Sequence, residues 1–530
     1  MLRILKAREM AYADENTIKI TGINSLVLME NAGRTSAQII LENYPDEKNF
    51  VIIAGSGNNG GDGLVIARYL LRAGKNVEVF ILANSKEKLS KDNLKNLEIF
   101  QLIDGKVSFI TEEKLNRLKN KIKGADVVID AIFGTGFNPP VKGYREKAIQ
   151  IINKYAKSVV SVDIPSGLSA DTGTINGSFV KSDLTITFAY PKLCHILFPA
   201  SQYCGEVFLV DISIDDKYVH EIHRYLIEAS KVKLPERKKD SHKYENGHIL
   251  VIGASIGKTG AVIMASKASN VSGAGLVSAV VPKSLDVIFE QALIEEMTIP
   301  VSDKDGFFYK HSYKEIEKII NQGKFTSIVV GMGMGVNEHT KMVVKTILKQ
   351  KKPIVIDADG LNNLSKIDNF KDLLKKRKSP TVLTPHIGEM SRLTGYTTKY
   401  ILDNMEEVAR EFSLETNTFV VLKSARTIIS TPDGKVYYSI YGNESMATAG
   451  TGDVLAGILG TMVSRLDTED AVLTGVVIHG ISGQIASEKV GKESLKATDL
   501  ITFIPEAYKY IQSLKDRQKV YSFYRKLRDF

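Results

Sequence analysis

Short apolar runs rich in β-branched residues recur along the whole chain, and many of them end beside Gly or Asp. Residues 50–54 lead into a glycine-rich segment, and the runs at 125–133 and 158–167 each contain an Asp. Such runs, separated by helical segments, are typical of buried strands in a parallel sheet. Because ligands bind at the carboxyl ends of such strands, the sequence predicts an α/β fold with its functional residues in the following loops.

The chain contains two such series, and a strongly polar stretch separates them. At 530 residues it is too long for a single core. We predict two three-layer α/β/α domains, at residues 1–230 and 244–514. The polar residues 231–243 are predicted as a linker and residues 515–530 as a basic tail.

The composition of the chain argues against a membrane protein, a secreted protein and a nucleic-acid-binding protein. The sequence has no run of 18 apolar residues, residues 1–6 lack the apolar core of a signal peptide, and there are two cysteines. We therefore expect a cytoplasmic protein without a membrane partner. The formal charge of +9 is spread widely and accompanies no nucleic-acid motif, so no nucleic-acid partner is expected.

Residues 50–54 predict a strand, the following residues 55–63 predict a glycine loop, and a helix is predicted to begin at Leu64. The glycine spacing of this loop formally fits the dinucleotide fingerprint, although that match alone is weak. Asn carbonyls and a carboxylate in a tight loop can bind a cation or a hydroxyl-rich ligand, as at Asn58, Asn59 and Asp62. An ordinary Asn/Gly-rich turn is the alternative.

Asp130 and Asp163 end two further buried runs. A single Asp at such a position often caps a helix or a turn. Two of them, together with Asp62, are expected to converge at one edge of the sheet, and this favours a binding site.

In the second half, residues 253–260 resemble a Walker A loop but are one residue short of it. Gly253 stands four residues before Gly257, whereas the motif requires five. We therefore interpret this segment as a small-residue turn that closes over a ligand.

The segment Gly450, Thr451, Gly452 and Asp453 precedes an apolar run with helical spacing. A helix beginning there points free N–H groups and its positive dipole end at a bound anion, most usefully a phosphate. Asp453 in the first turn is then a candidate base for a hydroxyl that attacks phosphorus. A plain helix start with a favourable Asp is the alternative. His386 follows a strand and neighbours Glu389, so ligand contact and a structural role are both open.

These residues together resemble the fused bifunctional NAD(P)H-hydrate repair enzymes. The first half resembles NAD(P)H-hydrate epimerase through residues 29–33, 58–62, 130–140 and 163–167. The second half resembles the ADP/ATP-dependent NAD(P)H-hydrate dehydratases through residues 258–261, 357–360, 385–389 and 450–457, and through Lys423. The resemblance implies a Rossmann-like N-terminal domain and a ribokinase-like C-terminal domain.

In this family, reduced nicotinamide cofactors that have added water are repaired. The resemblance implies that the first half interconverts the R and S hydrates of NADH and NADPH, with Asp163 as the acid/base. It implies a potassium ion on Asn59, Asp130 and Ser166. It also implies hydrate contacts from two segments and from Asp163; the segment residues are Asn58, Asn59, Gly60, Gly61, Asp62, Gly134, Thr135, Gly136, Phe137, Asn138, Pro139 and Pro140.

The second half is implied to dehydrate the S form at the expense of ADP or ATP, with Mg²⁺ and with Asp453 as the base. Hydrate contacts are expected from Ala261, Gly333, His386 and Asp453. The nucleotide is expected on two segments, namely Lys423, Ser424, Ala425, Arg426 and Thr427, and Gly450, Thr451 and Gly452. Ser424 and the pair Glu444 and Ser445 depart from the family pattern beside this site.

Two other interpretations stay open. A ribokinase-type kinase of a vitamin precursor would use the same Gly-Thr-Gly-Asp segment, fused to a first half that only binds. Epimerase-like domains also occur as protein-binding modules, although Asp163 and the segment 58–62 favour catalysis. ADP and ATP are both possible co-substrates, and microbial fused members resemble ADP users. We expect a homo-oligomer.

Overall fold

The computed structural model describes residues 1–516 and 522–529. The chain divides into two compact units. One comprises residues 2–224 with the C-terminal segment 522–529, and the other comprises Met1 and residues 225–516. The predicted domain boundaries at residues 230, 243 and 514 differ from the limits of these units. Which pieces of the chain fold independently stays a prediction.

The N-terminal unit alternates strands and helices. Its strands are β1 (Leu2–Arg3), β2 (Asn49–Ala54), β3 (Asn76–Ile81), β4 (Lys106–Phe109), β5 (Val127–Ala131), β6 (Val159–Val162), β7 (Leu184–Phe188) and β8 (Glu206–Val210). Its helices are α1 (Ala7–Thr21), α2 (Ser25–Asn43), α3 (Asn58–Arg72), α4 (Lys91–Leu102), α5 (Leu115–Gly124), α6 (Tyr144–Tyr155) and α7 (Leu193–Ile196).

Strands β2 to β8 form a parallel sheet in the order β8-β7-β6-β5-β2-β3-β4. Alternate residues of β2 face different apolar cores: Phe50 and Ile52 lie in one cluster, Val51 and Ile53 in another. Both faces of the sheet are therefore covered, as a continuous apolar run predicts. The carboxyl ends of β2, β5 and β6 lie next to one another, with Ile53 paired to Asp130 and Asp130 to Ser161.

The second unit contains a larger sheet and a separate two-stranded sheet. Its strands are β9 (Arg224–Leu226), β10 (His248–Ile252), β11 (Leu276–Pro282), β12 (Met297–Val301), β13 (Asp303–Lys304), β14 (Phe307–Phe308), β15 (Ser327–Val330), β16 (Ile354–Ile356), β17 (Thr381–Leu383), β18 (Phe419–Leu422), β19 (Ile428–Ser430) and β20 (Val436–Tyr438). Its helices are α8 (Thr259–Val271), α9 (Asp286–Ala292), α10 (Ser312–Gln322), α11 (Glu338–Leu348), α12 (Asp359–Leu364), α13 (Phe370–Lys375), α14 (Ile387–Thr394), α15 (Thr398–Asp403), α16 (Met405–Thr416), α17 (Thr451–Arg465), α18 (Thr468–Val490) and α19 (Ala497–Asp516).

The strands of this sheet run in the order β9-β20-β19-β18-β17-β16-β15-β10-β11-β12. Pairing is parallel from β12 to β18 and antiparallel from β18 to β20. Val251 lies in the core under α8 and α17, and its neighbours Leu250 and Ile252 on the opposite face are also fully buried. The predicted fold class, two α/β domains each with both faces of a parallel sheet covered, is confirmed.

The C-terminal segment returns to the N-terminal sheet as β21 (Tyr524–Lys526), antiparallel to β8. The Tyr524 ring packs against Phe208, and both Lys526 and Arg528 form ion pairs with Glu206. Leu527 is buried. The sequence pattern predicts a basic tail here and misses this strand, because its partner lies more than 300 residues away in the chain.

The predicted glycine loop through Gly63 was wrong, because α3 already begins at Asn58 with Gly57 as its N-cap. The glycines at 60, 61 and 63 serve close packing. A Cβ on Gly60 would lie 2.1 Å from the Gly55 carbonyl oxygen, and one on Gly61 would lie 2.7 Å from the Met29 sulfur. Among the described residues, every helix is too short or too polar to span a bilayer.

Candidate active sites

Asp163 stands at the carboxyl end of β6 and has a positive φ of 68°. This backbone region is unfavourable for a non-glycine residue and is characteristic of functional sites. Its carboxylate is held from two sides: Oδ2 accepts from the Thr135 N–H at 3.1 Å, and Oδ1 lies 2.7 Å from Lys192 Nζ. The arrangement fixes the Asp163 carboxylate in one orientation.

Lys192 is only 1% exposed, and sequence reasoning did not identify it as a site residue. Its ammonium also donates to Thr187 Oγ1 at 2.9 Å and to the Phe188 carbonyl at 3.0 Å. Although burial favours a neutral Asp163, the adjacent Lys192 charge holds the pKa of that carboxyl below its usual value. The buried pair is therefore ionic.

His195 contacts the backbone of Asp163. Its Nε2 lies 3.1 Å from the Asp163 carbonyl oxygen, and burial lowers the pKa of its imidazole to about 3. His195 is therefore neutral at physiological pH and donates a hydrogen bond there without adding a charge.

A pocket of about 520 Å³ opens in front of Asp163. Many of the residues predicted to contact the hydrate line it: Asn58, Asn59, Asp62, Gly134, Thr135, Gly136, Phe137 and Asp163. Five others are not among its lining residues: Gly60, Gly61, Asn138, Pro139 and Pro140. Gly60 and Gly61 pack behind the pocket wall, which explains why glycine is needed there without ligand contact.

Three further carboxyl residues line this pocket, Asp14, Asp62 and Asp92. Burial, with the charges of Asp163 and Asp14, raises the pKa of Asp62 well above its usual value. Burial also raises the pKa of Asp14 to about 6. Asp14 lies on α1, where a single Asp in a polar helix carries no sequence signal for a site.

Of the three residues predicted to bind potassium, Asp130 and Ser166 contact each other, and Asn59 follows β2, the strand next to β5. Asp130 is fully buried and accepts from Ser166 N at 2.8 Å, Ser166 Oγ at 2.6 Å and Ser161 Oγ at 2.8 Å. Both polar side-chain atoms of Asn59 are buried without a hydrogen-bond partner. A bound ligand would explain a buried amide that has no hydrogen-bond partner. The amide oxygen is suited to coordinate a hard cation.

In the second unit, α17 begins at Thr451, and its N-cap Gly450 adopts a left-handed φ of 94°. Asp453 lies in the first turn, as predicted from the sequence. Burial, together with the charge of Asp357, raises the pKa of Asp453 to about 7. A carboxyl with that pKa can exchange a proton near neutral pH.

Lys423 lies at the same helix start. Its Nζ is 2.6 Å from Asp357 Oδ1, and Asp357 Oδ1 also accepts from Thr384 Oγ1 at 2.7 Å. A Cβ placed on Gly452 would lie 3.3 Å from Lys423 Nζ and 3.6 Å from Asp357 Oδ2. The cation and the N-terminus of α17 therefore face one small volume, which suits an anionic group.

His386 has a structural role in this structure. It is the N-cap of α14, where its Nδ1 accepts from the N–H groups of Gly388 and Glu389. Its backbone is bridged to Lys423, and its half-exposed ring remains reachable from solvent. Burial raises the pKa of the neighbouring Glu389 to about 7.

Ala261 and Gly333, predicted to contact the hydrate, are brought together. A Cβ on Gly333 would lie 3.3 Å from that of Ala261, and φ at Gly333 is 61°. Beside them, Lys258 Nζ is 3.3 Å from Asp359 Oδ2, which also accepts from the Gly335 N–H. The fold thus assembles loops that follow β10, β15 and β16.

The unusual residues beside the expected nucleotide segment have partners of their own. Ser424 Oγ donates to the Arg426 carbonyl at 2.6 Å and accepts from the Arg426 N–H at 3.2 Å, which closes a tight turn. Glu444 pairs with Lys492 at the surface, and Ser445 Oγ contacts Ser487 Oγ. These departures from the family pattern are accommodated locally.

Comparison with known proteins gives the chain its family. Residues 25–194 match the family described as YjeF-related protein N-terminus, and residues 249–506 match NAD(P)H-hydrate dehydratase. The bifunctional NAD(P)H-hydrate repair enzyme Nnr of Moorella thermoacetica is 37% identical over 513 residues, which are 95% of this chain and 96% of that protein. The Nnr of Thermofilum pendens is 34% identical over 523 residues, which are 96% and 97% of the two chains.

Among solved structures, the ADP/ATP-dependent NAD(P)H-hydrate dehydratase of Bacillus subtilis, co-crystallised with ATP/Mg²⁺, is 27% identical and has a TM-score of 0.48. The match covers 53% of this chain and 96% of that one. The two relatives match this chain over almost its full length, including both the epimerase-like and the dehydratase-like half. The chain therefore belongs to the family of bifunctional NAD(P)H-hydrate repair enzymes.

Proposed function

We propose that the N-terminal pocket interconverts the R and S hydrates of NADH and NADPH, and that the α17 site dehydrates the S form with ADP or ATP. Repair of hydrated cofactors follows from the family to which the chain belongs. The assignment of each step to residues is supported by the geometry of the two sites.

In the epimerase pocket, Asp163 is the residue suited to proton transfer. It is held rigidly by the Thr135 N–H and Lys192, and it faces a pocket with both polar and apolar walls. A carboxylate held in one geometry can move a proton without reorganising first.

Potassium fits the site of Asn59, Asp130 and Ser166. The unpartnered Asn59 side chain and the buried Asp130 carboxylate supply oxygen donors, and a bound cation would supply positive charge that neutralises Asp130 and fixes the loops after β2 and β5. Replacing potassium by lithium should lower epimerisation and leave dehydration unchanged.

In the dehydratase site, Asp453 takes the proton of the hydrate hydroxyl. The hydroxyl oxygen attacks the terminal phosphorus of ADP or ATP, and the bond from that phosphorus to the bridging oxygen breaks, giving AMP or ADP. Lys423 and the N–H groups at Gly450–Gly452 hold the phosphate charge. The phosphate ester then leaves as inorganic phosphate, and loss of a ring proton restores the double bond.

Magnesium fits this site as a companion of the nucleotide. Mg²⁺ commonly binds phosphates, waters and one or two carboxylates, and Asp357 lies beside the start of α17. The described residues contain no group of three or more His, Cys, Asp or Glu side chains that could hold a metal by themselves. When bound, Mg²⁺ would neutralise phosphate charge.

The observation that carries the proposal is Asp453, with its pKa near 7, in the first turn of α17 beside Lys423. The test is recovery of the reduced-nicotinamide absorbance from a mixed R and S hydrate pool with ADP or ATP, Mg²⁺ and K⁺. Rapid recovery of the whole pool supports both activities. Recovery of the S portion alone reduces the first half to a binding module, and no recovery with either nucleotide favours a small-molecule kinase.

Two further proposals concern setting and assembly. The two cysteines are free and buried, which supports a reducing, cytoplasmic location. Val287 and Ile294, 68% and 85% exposed beside the edge strand β12, support self-association. Sedimentation at several protein concentrations tests the second proposal.

A further inference from the structure

The N-terminal pocket is lined by four carboxyl residues, Asp14, Asp62, Asp92 and Asp163, and by Lys192, and their surroundings differ. Asp163 is tied to Lys192, Thr187 and Thr135. In the part of the chain that the structure describes, the side chains of Asp14 and Asp62 have no hydrogen-bond partner, although both line the pocket. Unpartnered carboxyl groups in a ligand-sized pocket are available to a ligand.

Asp62 and Asp163 reach the pocket from either side of one strand. Asp163 follows β6, and Asp62 lies in the second turn of α3, which follows β2; β5 runs between these two strands. The segment after β5, including Phe133 and Thr135, lines the pocket between them. Two strand spacings are about 10 Å, enough for a flat ring with a carboxyl group on each side.

The electrostatic environments of Asp62 and Asp163 shift the pKa values of the two carboxyl groups in opposite directions. Burial and the nearby carboxylates raise the pKa of Asp62, whereas the Lys192 ammonium outweighs burial and lowers the pKa of Asp163. Asp14 on α1 and Asp92 on α4 also line the pocket, and His195 is neutral. The surroundings of Asp62 thus favour the protonated acid and those of Asp163 favour the carboxylate, which is the pattern of a catalytic pair.

We propose that Asp62 and Asp163 are the acid and the base of epimerisation, acting on opposite faces of the hydrate ring, and that Lys192 positions Asp163 as a carboxylate. This inference rests on the proposed epimerase function of the pocket.

The reaction balances without any reactant besides water. Asp62 donates its proton to the hydroxyl oxygen, which leaves as water with the C–O electron pair, and the ring nitrogen stabilises the cation that remains. A water on the other face bonds to the same carbon and gives its proton to Asp163. The proton thereby moved from Asp62 to Asp163 returns through solvent, and the reverse inversion runs the same steps backwards.

The first test uses Asp62→Asn and Asp163→Asn in the full chain, with pure R hydrate, K⁺ and no nucleotide, so that dehydration is silent. Chromatography follows the appearance of S hydrate. Each variant should lose about 10²-fold or more of the catalysed rate. Asp46→Asn, at an exposed residue that does not line the pocket, is the matched control and should keep the wild-type rate; a rate within twofold of the wild type in Asp62→Asn overturns the proposal.

The second test separates positioning from folding through Lys192→Met and Lys192→Arg. Without the ammonium, the pKa of Asp163 should rise, so the low-pH limb of the epimerase profile should move upward by about 1 to 3 pH units. Lys192→Arg keeps the charge and should keep the limb near its wild-type position. A uniform loss of rate in Lys192→Met with an unmoved limb would contradict the positioning role.

Failure of the inference and failure of the proposed function are distinguishable. If the wild-type chain does not convert R to S hydrate, the epimerase function itself is wrong. If it does, and the Asn variants match it, only the acid–base assignment fails. Chemical denaturation of the same variants, compared with the wild type, reports whether the N-terminal unit is folded, and dehydration of S hydrate reports only on the second unit.

Discussion

Lys423 Nζ lies 2.6 Å from Asp357 Oδ1, although the two residues are 66 positions apart and follow β18 and β16, the strands on either side of β17. Although burial alone would lower the pKa of Lys423, the charge of Asp357 raises it, so the ammonium stays charged. The pair thus keeps one cation at the N-terminus of α17, where the helix dipole also favours an anion.

Lys423→Met should lower the rate of S-hydrate dehydration by about 10²-fold, because it removes one of the groups that hold the phosphate charge. The kcat for dehydration and the KM for ADP and ATP measure this effect. Lys435→Met is a matched control, since Lys435 pairs with Glu469 elsewhere in the same domain. Equal nucleotide kinetics in both variants would contradict a phosphate role for Lys423.

Dehydration should depend on pH through Asp453. Because the pKa of this carboxyl is raised to about 7 and its ionised form is the base, the rate should rise with pH and level off above that value. Asp453→Asn should abolish this limb and lower kcat by about 10²- to 10⁴-fold. A pH–rate profile on pure S hydrate between about pH 5 and pH 8 tests both effects. A wild-type rate that does not change across this range would argue against Asp453 as the base.

The glycines after β2 should differ sharply in their tolerance of alanine. A Cβ on Gly60 would meet the Gly55 carbonyl at 2.1 Å, whereas one on Gly57 meets nothing within 4 Å. Gly60→Ala should therefore destabilise the N-terminal unit by about 1–3 kcal/mol or more, and Gly57→Ala should leave its stability nearly unchanged. Chemical denaturation of the two variants gives the comparison, and equal midpoints would refute the packing explanation.

The C-terminal strand should contribute to the stability of the N-terminal unit. Leu527 is 5% exposed, so Leu527→Ala should cost about 2 kcal/mol or more. The exposed neighbour Asp529 provides the control variant Asp529→Ala, which should have almost no effect. The measurement is thermal unfolding, monitored as the loss of epimerisation activity with rising temperature. Dehydration of S hydrate should persist in both variants.

Local patterns predicted much of the architecture. The buried strands at 50–54 and 125–133 and the helix that begins at Gly450–Thr451 follow from apolar periodicity and from small residues at an element boundary. The segment 58–63 was predicted as a loop because Asn and Gly favour turns. Tertiary packing decided otherwise, since these glycines let α3 lie close against Gly55, Met29 and Ala131.

Residues close in sequence are enough to predict the succession of strands along the chain, the place of Asp453 in a helical first turn, and the Asp residues at the ends of β5 and β6. Which charged groups meet depends on the folded chain. Lys192 reaches Asp163 across 29 positions, Asp357 reaches Lys423 across 66, and β21 joins β8 from the far end of the chain. Burial and ion pairing depend on what packs around a group, and segments distant in sequence supply those neighbours.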